Sequence, residues 1–424
     1  MKHLTYPALG ESCYTAALQS GLQLRVVPKP GFARKYAFLA VDVGSIDTTF
    51  VLDGKRHCVP DGIAHYLEHK MFDLPGQDAM ELFAQYGGSP NAFTSYGMTA
   101  YYFSCTERFE DNLRLLLRMV TTPYFTPESV EKERGIIAQE IRMYEDNAQS
   151  RVGEDLFAAL FRSHPIRIPI AGTVESIAEI TPELLTACHR AFYRADHMML
   201  CVVGDVDAEL VQSIAEEGVP AAEGAPVQRD HGAAETMLPV RTRSERRMSV
   251  SMPTFSLGYK CAPPKRGMDV MRREIIGDLA GEILAGESSP LYERLYAQGL
   301  IDSGFSVGYE SVKDACLLTA EGDSSDPEAV AVAIAAEAER LAKDGFDRAL
   351  FDRLKKSSMG RRMRGLDSFE SICYRICAYY FDGVEYFDFP AAYAAVTPED
   401  VTQFLNETLR PERACLATVL PKED

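Results

Sequence analysis

The sequence has no CxxC pair, and its ten cysteines are scattered along 424 residues without the spacing of a disulfide framework. In a chain this long, that pattern reads as reduced thiols and a cytoplasmic location. No apolar run approaches the ~20 residues that a membrane-spanning helix needs. The opening stretch, MKHLTYPALGESCYTAALQSG, lacks a basic region followed by an apolar one, so no secretory signal is expected. Positive charge is also short. Lys and Arg number 44 against 62 Asp and Glu, a net charge of −18. Such a surface repels phosphates and anionic lipid, so neither nucleic acid nor membrane is expected as a partner. GxxxxGK, GxSxG and GxGxxG are absent, which removes a nucleotide site and a serine nucleophile from consideration. Histidine is scarce, with eight in all.

Against that scarcity, two histidines fall four residues apart in His65-Tyr66-Leu67-Glu68-His69, within VPDGIAHYLEHKMFD. A helix turns once every 3.6 residues, so both rings lie on one face, and Glu68 falls near it. Two imidazoles on one face can share a metal ion, and a carboxylate beside them can take a proton from water. The bland alternative is a helix with two surface histidines, so the metal reading requires a third ligand. His57, His164 and His189 have no ligand-like spacing and read as structural.

Length predicts two to four domains, and 46% hydrophobic with 25% charged residues is ordinary globular composition. Alternating Leu22, Leu24, Val26 and Ala37, Leu39, Val41 predict two strands around the Pro-Lys-Pro-Gly turn. The motif helix is expected from about Ile63 to Phe72, with Asp61 as N-cap. A short helix over Met80–Tyr86 and a strand-rich stretch, SPNAFTSYGMTAYYFSC, follow. Phe109–Val120 reads as an amphipathic helix. Thr126 and Pro127 open a long helix through SVEKERGIIAQEIRMYEDN.

Residues 216–245 are rich in Ala, Gly, Pro and charge without an apolar period, which predicts a linker. It divides residues 1–215, expected to form the metal-binding domain, from a second domain at 246–424. The halves look duplicated. Thr181-Pro182-Glu183 and Thr397-Pro398-Glu399 each open a helix, reach an Arg (Arg194, Arg410) twelve residues after the Pro, and enter an apolar strand. No second HxxEH occurs in the later copy.

A catalytic zinc site takes three protein ligands and leaves one position open. On the long helix Glu131, Glu133, Glu140 and Glu145 all qualify. Glu133 and Glu140 lie two turns apart and share a face, while Ile136, Ile137 and Ile141 mark an apolar side. Solvated helix carboxylates are the plain alternative for each.

Taken together, HYLEH, SPNAFTSYGMTAYYF and VEKERGIIAQEI resemble the inverzincin zinc metallopeptidases, the family of pitrilysin, insulin-degrading enzyme and mitochondrial processing peptidase. HPIRIPIAGTVESI and FYRADHMMLCVVGDVD extend the resemblance, which is nearest in length to half-size bacterial members of the YmfH type. It implies an α+β fold of two homologous halves. Each is a mostly antiparallel sheet with helices on one face, and a linker joins them in a clam-like pair that encloses a peptide. It implies one Zn2+ on His65, His69 and Glu140, with Glu68 as general base and Glu133 supporting the site from behind. Asn91, Ala92 and Phe93 match a cleft segment where the family binds peptide as an added strand. The expected activity is endopeptidase cleavage of short or unfolded peptides.

One departure stands out. Family members that act alone carry, after a stretch like Gly286-Glu287-Ser288-Ser289-Pro290-Leu291-Tyr292, an Arg and seven residues later a Tyr that hold the substrate. Here those positions fall near Tyr296 and Asp302, and Arg294 is out of register. The chain is therefore expected to pair with a family paralogue, as a hetero- or homodimer, that supplies them. The alternative is a non-catalytic zinc-binding subunit or scaffold. The basic run from Lys355 to Arg364 reads first as a solvated helix face, and second as a positive wall for acidic peptides. Cys373 and Cys377 read as a buried thiol pair.

Overall fold

A computed structural model describes residues 1–422, so 423 and 424 of the expected second domain lie outside the described residues. The first half opens with strands β1 (Lys2–Tyr6), β2 (Glu11–Ala17), β3 (Gln23–Pro28) and β4 (Lys35–Val41). A flap of β5 (Thr49–Leu52) and β6 (Lys55–Cys58) leads into helix α1 (Ile63–Lys70). The short hairpin β7 (Asp73–Leu74) and β8 (Gln77–Asp78) and helix α2 (Ala79–Gln85) precede β9 (Ser89–Thr94) and β10 (Thr99–Cys105). Helices α3 (Phe109–Thr121), α4 (Pro127–Glu145), α5 (Ala148–Leu160), α6 (Val174–Ala178) and α7 (Pro182–Phe192) follow. Strand β11 (Met198–Gly204) and helix α8 (Ala208–Gly218) complete it.

After β12 (Gln228–Arg229) come β13 (Arg243–Met248) and β14 (Thr254–Lys260). Helices α9 (Met268–Ala285) and α10 (Pro290–Ala297) lead to β15 (Ser306–Val312) and β16 (Ala315–Asp323). Then α11 (Pro327–Asp344), α12 (Arg348–Arg364), α13 (Phe369–Phe381), α14 (Phe389–Ala395) and α15 (Pro398–Thr408) precede β17 (Ala414–Pro421).

The duplication is visible in topology. The first sheet runs β1-β2-β3-β11-β4-β10-β9 and the second β13-β17-β14-β16-β15. In each, the strand after the Thr-Pro helix inserts between two others, parallel to one neighbour (β3, β13) and antiparallel to the other (β4, β14). Thr181 and Thr397 cap α7 and α15 by accepting the backbone N–H of Leu184 and Asp400. The fold is therefore α+β, two homologous halves with mostly antiparallel sheets.

Both faces of each sheet are covered, and the second face by the other half. On β4, Ala37, Leu39 and Val41 join the first-half helices, while Tyr36, Phe38 and Ala40 join a core shared with the second half. That second face receives α13, whose Ile372, Cys373, Ile376 and Cys377 are at most 2% exposed. Burying an isoleucine contributes about 1.5–3 kcal/mol. The Cys373 thiol donates to the Cys201 carbonyl at 3.6 Å. In return α5 lies on β14 and β17, with Val152, Leu156, Ala159 and Leu160 buried against Leu317, Ala417 and Val419. Gly258 makes that approach possible, because a Cβ there would lie 3.0 Å from Leu156 and Leu160. The space between the sheets is thus filled by side chains.

Three local expectations change. Gly62, not Asp61, caps α1, with φ of 87° and no side-chain hydrogen bond. Only glycine fits, since a Cβ at Gly62 would lie 2.3 Å from the Ala171 carbonyl oxygen. The long helix ends at Glu145, and Asn147 immediately caps α5 by accepting the Ser150 N–H at 3.0 Å. Residues 216–245 begin inside α8 and are pinned rather than loose. Arg229 pairs with Asp42 and Asp47 at 2.9 and 3.1 Å, His231 with Asp47 at 3.0 Å, and Glu235 bridges both halves. The basic run on α12 is largely a solvated face, with Lys356, Arg361 and Arg364 exposed and Arg362 buried, and several of its charges are paired. Lys355 donates to the Val396 carbonyl, Arg361 pairs with Glu282, and Arg362 with Glu274. All ten cysteines are unbridged. Among the described residues no helix is long and apolar enough to cross a membrane.

Candidate metal centre

Helix α1 is almost wholly buried, and its His65, Glu68 and His69 point toward α4 and β9. Helix α4 is set by a capping box in which Thr126 and Ser129 exchange side-chain and backbone hydrogen bonds. Tyr66, beside them on α1, donates to the Val130 carbonyl and fixes one helix against the other. This packing delivers Glu140 to the two histidines. His65 Nε2 lies 3.6 Å from Glu140 Oε1, and His69 Nε2 lies 3.4 Å from Glu140 Oε2.

The three side chains offer ligand atoms that all lie within 4.8 Å of one another, the one such group of His, Cys, Asp and Glu among the described residues. Ligands about 2.0–2.1 Å from a shared ion at tetrahedral angles would lie roughly 3.3–3.4 Å apart. Two imidazoles and a carboxylate at these separations therefore fit a zinc ion with one position open. Of the four helix carboxylates that sequence left open, Glu131 turns away to Arg134. Glu133 meets the other nitrogen of His69, with Nδ1 to Oε1 at 2.9 Å. Glu145 borders the cavity without joining the group.

The charges are strongly coupled. Burial works against charge on His69, but hydrogen bonds to Glu133 and Glu140 overcome it and raise the ring to about 10. The His65 and His69 rings hold the Glu140 carboxyl well below the usual range. Burial pushes Glu133 up, yet its bond to His69 keeps it low. Glu68, 8% exposed, is raised by burial against the pull of His65 and Thr94. Metal ligands must be deprotonated, so a cation held here would favour the neutral His69 ring.

Strand β9 is the edge of the first sheet, and it carries Asn91, Ala92 and Phe93. Ala92 and Phe93 line the cavity beside the metal ligands, while Asn91 is exposed and its Oδ1 accepts the Ala92 N–H at 2.8 Å. The cavity measures about 540 Å3, and all its lining residues belong to the first half. The second half touches this region through Tyr374, whose ring lies 5.9 Å from that of Phe93. Within this chain α5 packs on the second sheet and α13 on the first, and the cavity opens on the first half. The segment matching the substrate-holding Arg and Tyr contributes nothing to the cavity lining. Tyr296 is 54% exposed on α10, and Arg294 approaches Glu337 at 3.9 Å.

Two contacts escaped sequence reasoning. Thr94 Oγ1 donates to Glu68 Oε2 at 2.8 Å, and Tyr144 Oη donates to Glu140 Oε1 at 3.0 Å. The second had a visible signal, since Tyr144 follows Glu140 by one helical turn. The first joins residues 26 apart and had none.

The comparisons with known proteins agree with this geometry. Residues 39–174 match the family described as Insulinase (Peptidase family M16), and residues 179–358 match its Peptidase M16 inactive domain. The border between those matches precedes α7 and β11, although β11 pairs inside the first sheet. The chain is 36% identical to the uncharacterized zinc protease YmfH of Bacillus subtilis (strain 168), over 100% of both sequences. A crystal structure of an M16-like peptidase from Alicyclobacillus acidocaldarius superimposes with a TM-score of 0.93 at 33% identity, covering 99% of this chain and 100% of that one. The mitochondrial-processing peptidase subunit beta of Caenorhabditis elegans is 30% identical over 37% of this chain and 35% of its own length. The chain belongs to the insulinase (M16) family of peptidases.

Proposed function

We propose that this chain is a zinc-dependent endopeptidase that cleaves short or unfolded peptides, working with a second family chain. The observation that carries this reading is the convergence of His65, His69 and Glu140 on one point, with Glu68 buried beside them. Bound there, zinc would act as a Lewis acid that lowers the pKa of water to about 7 and polarises a peptide carbonyl. His65, His69 and Glu140 hold the ion. Glu133 fixes the His69 ring through Nδ1, so that Nε2 faces the ion. Glu68 accepts a proton from the attacking water and returns it to the leaving amine. Asn91, Ala92 and Phe93 offer the sheet edge along which the peptide docks as an added strand.

The second chain is required by what the first lacks. No second-half side chain lines the cavity, and Arg294 lies on α10, 3.9 Å from Glu337. A paralogue carrying an Arg and a Tyr in register would cover the open side and stabilise the oxyanion. The domain division is read as 1–215, a strap over 216–245, and 246 onward. A cytoplasmic site of action follows the unbridged thiols. A second reading, a non-catalytic zinc-binding subunit of a processing-peptidase-like complex, draws on the same missing Arg and Tyr.

The test is zinc content together with cleavage of an unfolded peptide, with the chain alone and with a paralogue carrying that pair. One zinc per chain and cleavage that requires the paralogue support the proposal. Full activity of the isolated chain removes the partner. Zinc without cleavage under any pairing favours the scaffold.

A further inference from the structure

Strand β9 does more than offer an edge. Its side chains alternate, so Ala92 and Thr94 share one face. On that face the Thr94 hydroxyl donates to Glu68 Oε2 at 2.8 Å. Glu68 Oε1 accepts no hydrogen bond from the described residues, so the contact singles out one oxygen and leaves the other free. Thr94 is itself held. Its partner across the ladder is Thr99, fully buried, whose hydroxyl donates to the Val43 carbonyl at 2.9 Å and stands 3.4 Å from Thr94 Oγ1. A β-branched side chain on a paired strand has few rotamers, so the hydroxyl is aimed before any substrate arrives.

We infer that Thr94 is a positioning residue for the Glu68 base. Its hydroxyl clamps Oε2, turns Oε1 toward the attacking water, and couples the base to the strand on which the peptide docks. The inference rests on the peptidase reading above. A threonine in this place with a purely structural role would only fill the space between α1 and β9, and a valine of the same shape would serve as well.

The experiment compares Thr94→Val, Thr94→Ser and Glu68→Gln in the pairing that gives the wild type its activity. It measures kcat and KM on an unfolded peptide, and zinc affinity by competition with a chromogenic chelator. A lost hydrogen bond to a charged group predicts that Thr94→Val lowers kcat about ten- to hundredfold. KM and zinc affinity should stay within about twofold, because the substitution changes no metal ligand and leaves the β9 backbone, along which the peptide pairs, as it was. Thr94→Ser should recover most of the rate. A Thr94→Val variant as active as wild type overturns the inference. So does a loss in which zinc affinity falls in parallel and serine fails to rescue, since that marks a structural role. If the wild type cleaves no more than Glu68→Gln in every pairing, the peptidase reading itself falls and takes this inference with it.

Discussion

Glu235 tests whether residues 216–245 are a tether or a strap. Its Oε1 accepts the N–H groups of Arg162, Ser163 and His164 at 2.9, 2.6 and 2.9 Å, and its Oε2 accepts from Lys260 Nζ at 3.0 Å. One carboxylate thus joins the end of α5, the connecting segment and β14 of the second half. The Lys260 side chain is 3% exposed, so removing its counter-charge leaves a buried ammonium held by the Leu160 carbonyl and the face of the Phe161 ring, with no anion beside it. Breaking a buried pair from one side costs about 3–5 kcal/mol. Water can reach the freed amides, so Glu235→Ala is expected near the lower limit, about 3 kcal/mol. Lys260→Met, which removes the stranded charge, should cost about 1–2 kcal/mol, and the double variant should show coupling of about 2 kcal/mol. Burial pushes the Glu235 carboxyl up, but the three backbone N–H groups and Lys260 bring it down to about 2. A folded value below the unfolded 4.5 means stability that is full above pH 4.5 and lost as pH falls toward 2. Glu235→Ala should therefore flatten the acid limb of the stability curve in that window. Urea denaturation read by circular dichroism supplies these values. A Glu235→Ala variant within about 0.5 kcal/mol of wild type would refute the strap.

Other outcomes follow from the same contacts. Glu133→Gln weakens the hold on His69 Nδ1 and should raise the zinc dissociation constant about 10–100-fold, read by chelator competition. Gly62→Ala forces a left-handed alanine whose Cβ meets the Ala171 carbonyl. It should destabilise the protein by about 2–4 kcal/mol in urea melts and shift α1 off the metal. Burial, reinforced by His231, lowers His164 to about 4. Its contribution is full above pH 6.5 and is lost as pH falls, so urea midpoints at pH 7 and pH 5 should differ less in His164→Gln, by about 1–2 kcal/mol after allowing for screening by water.

The clustering of His65, His69 and Glu140 was legible in the sequence because its signals are local. His65, Glu68 and His69 share one helix, and Glu140 was recoverable once a family resemblance chose among four carboxylates on the next long helix. The paired Thr-Pro openings revealed the duplication because each halts one helix and feeds one central strand. What stayed hidden was long-range. Strand β1, at the sheet edge, and β2 beside it are largely unburied and lack clean alternation. Only two residues separate the end of α4 from the start of α5, so the two read as one. Nothing in the local pattern of α5 or α13 says that each packs on the other half's sheet. The segment around Glu235 looked loose because its anchors are single charged residues, which leave no periodicity.

The central claim is that Glu68 moves protons at a zinc held by His65, His69 and Glu140. The direct measurement is peptide cleavage by Glu68→Gln beside the zinc content of the same preparation. The account predicts one zinc per chain, unchanged from wild type, and a rate lower by about 100-fold or more. Cleavage near the wild-type rate with zinc still bound would contradict it.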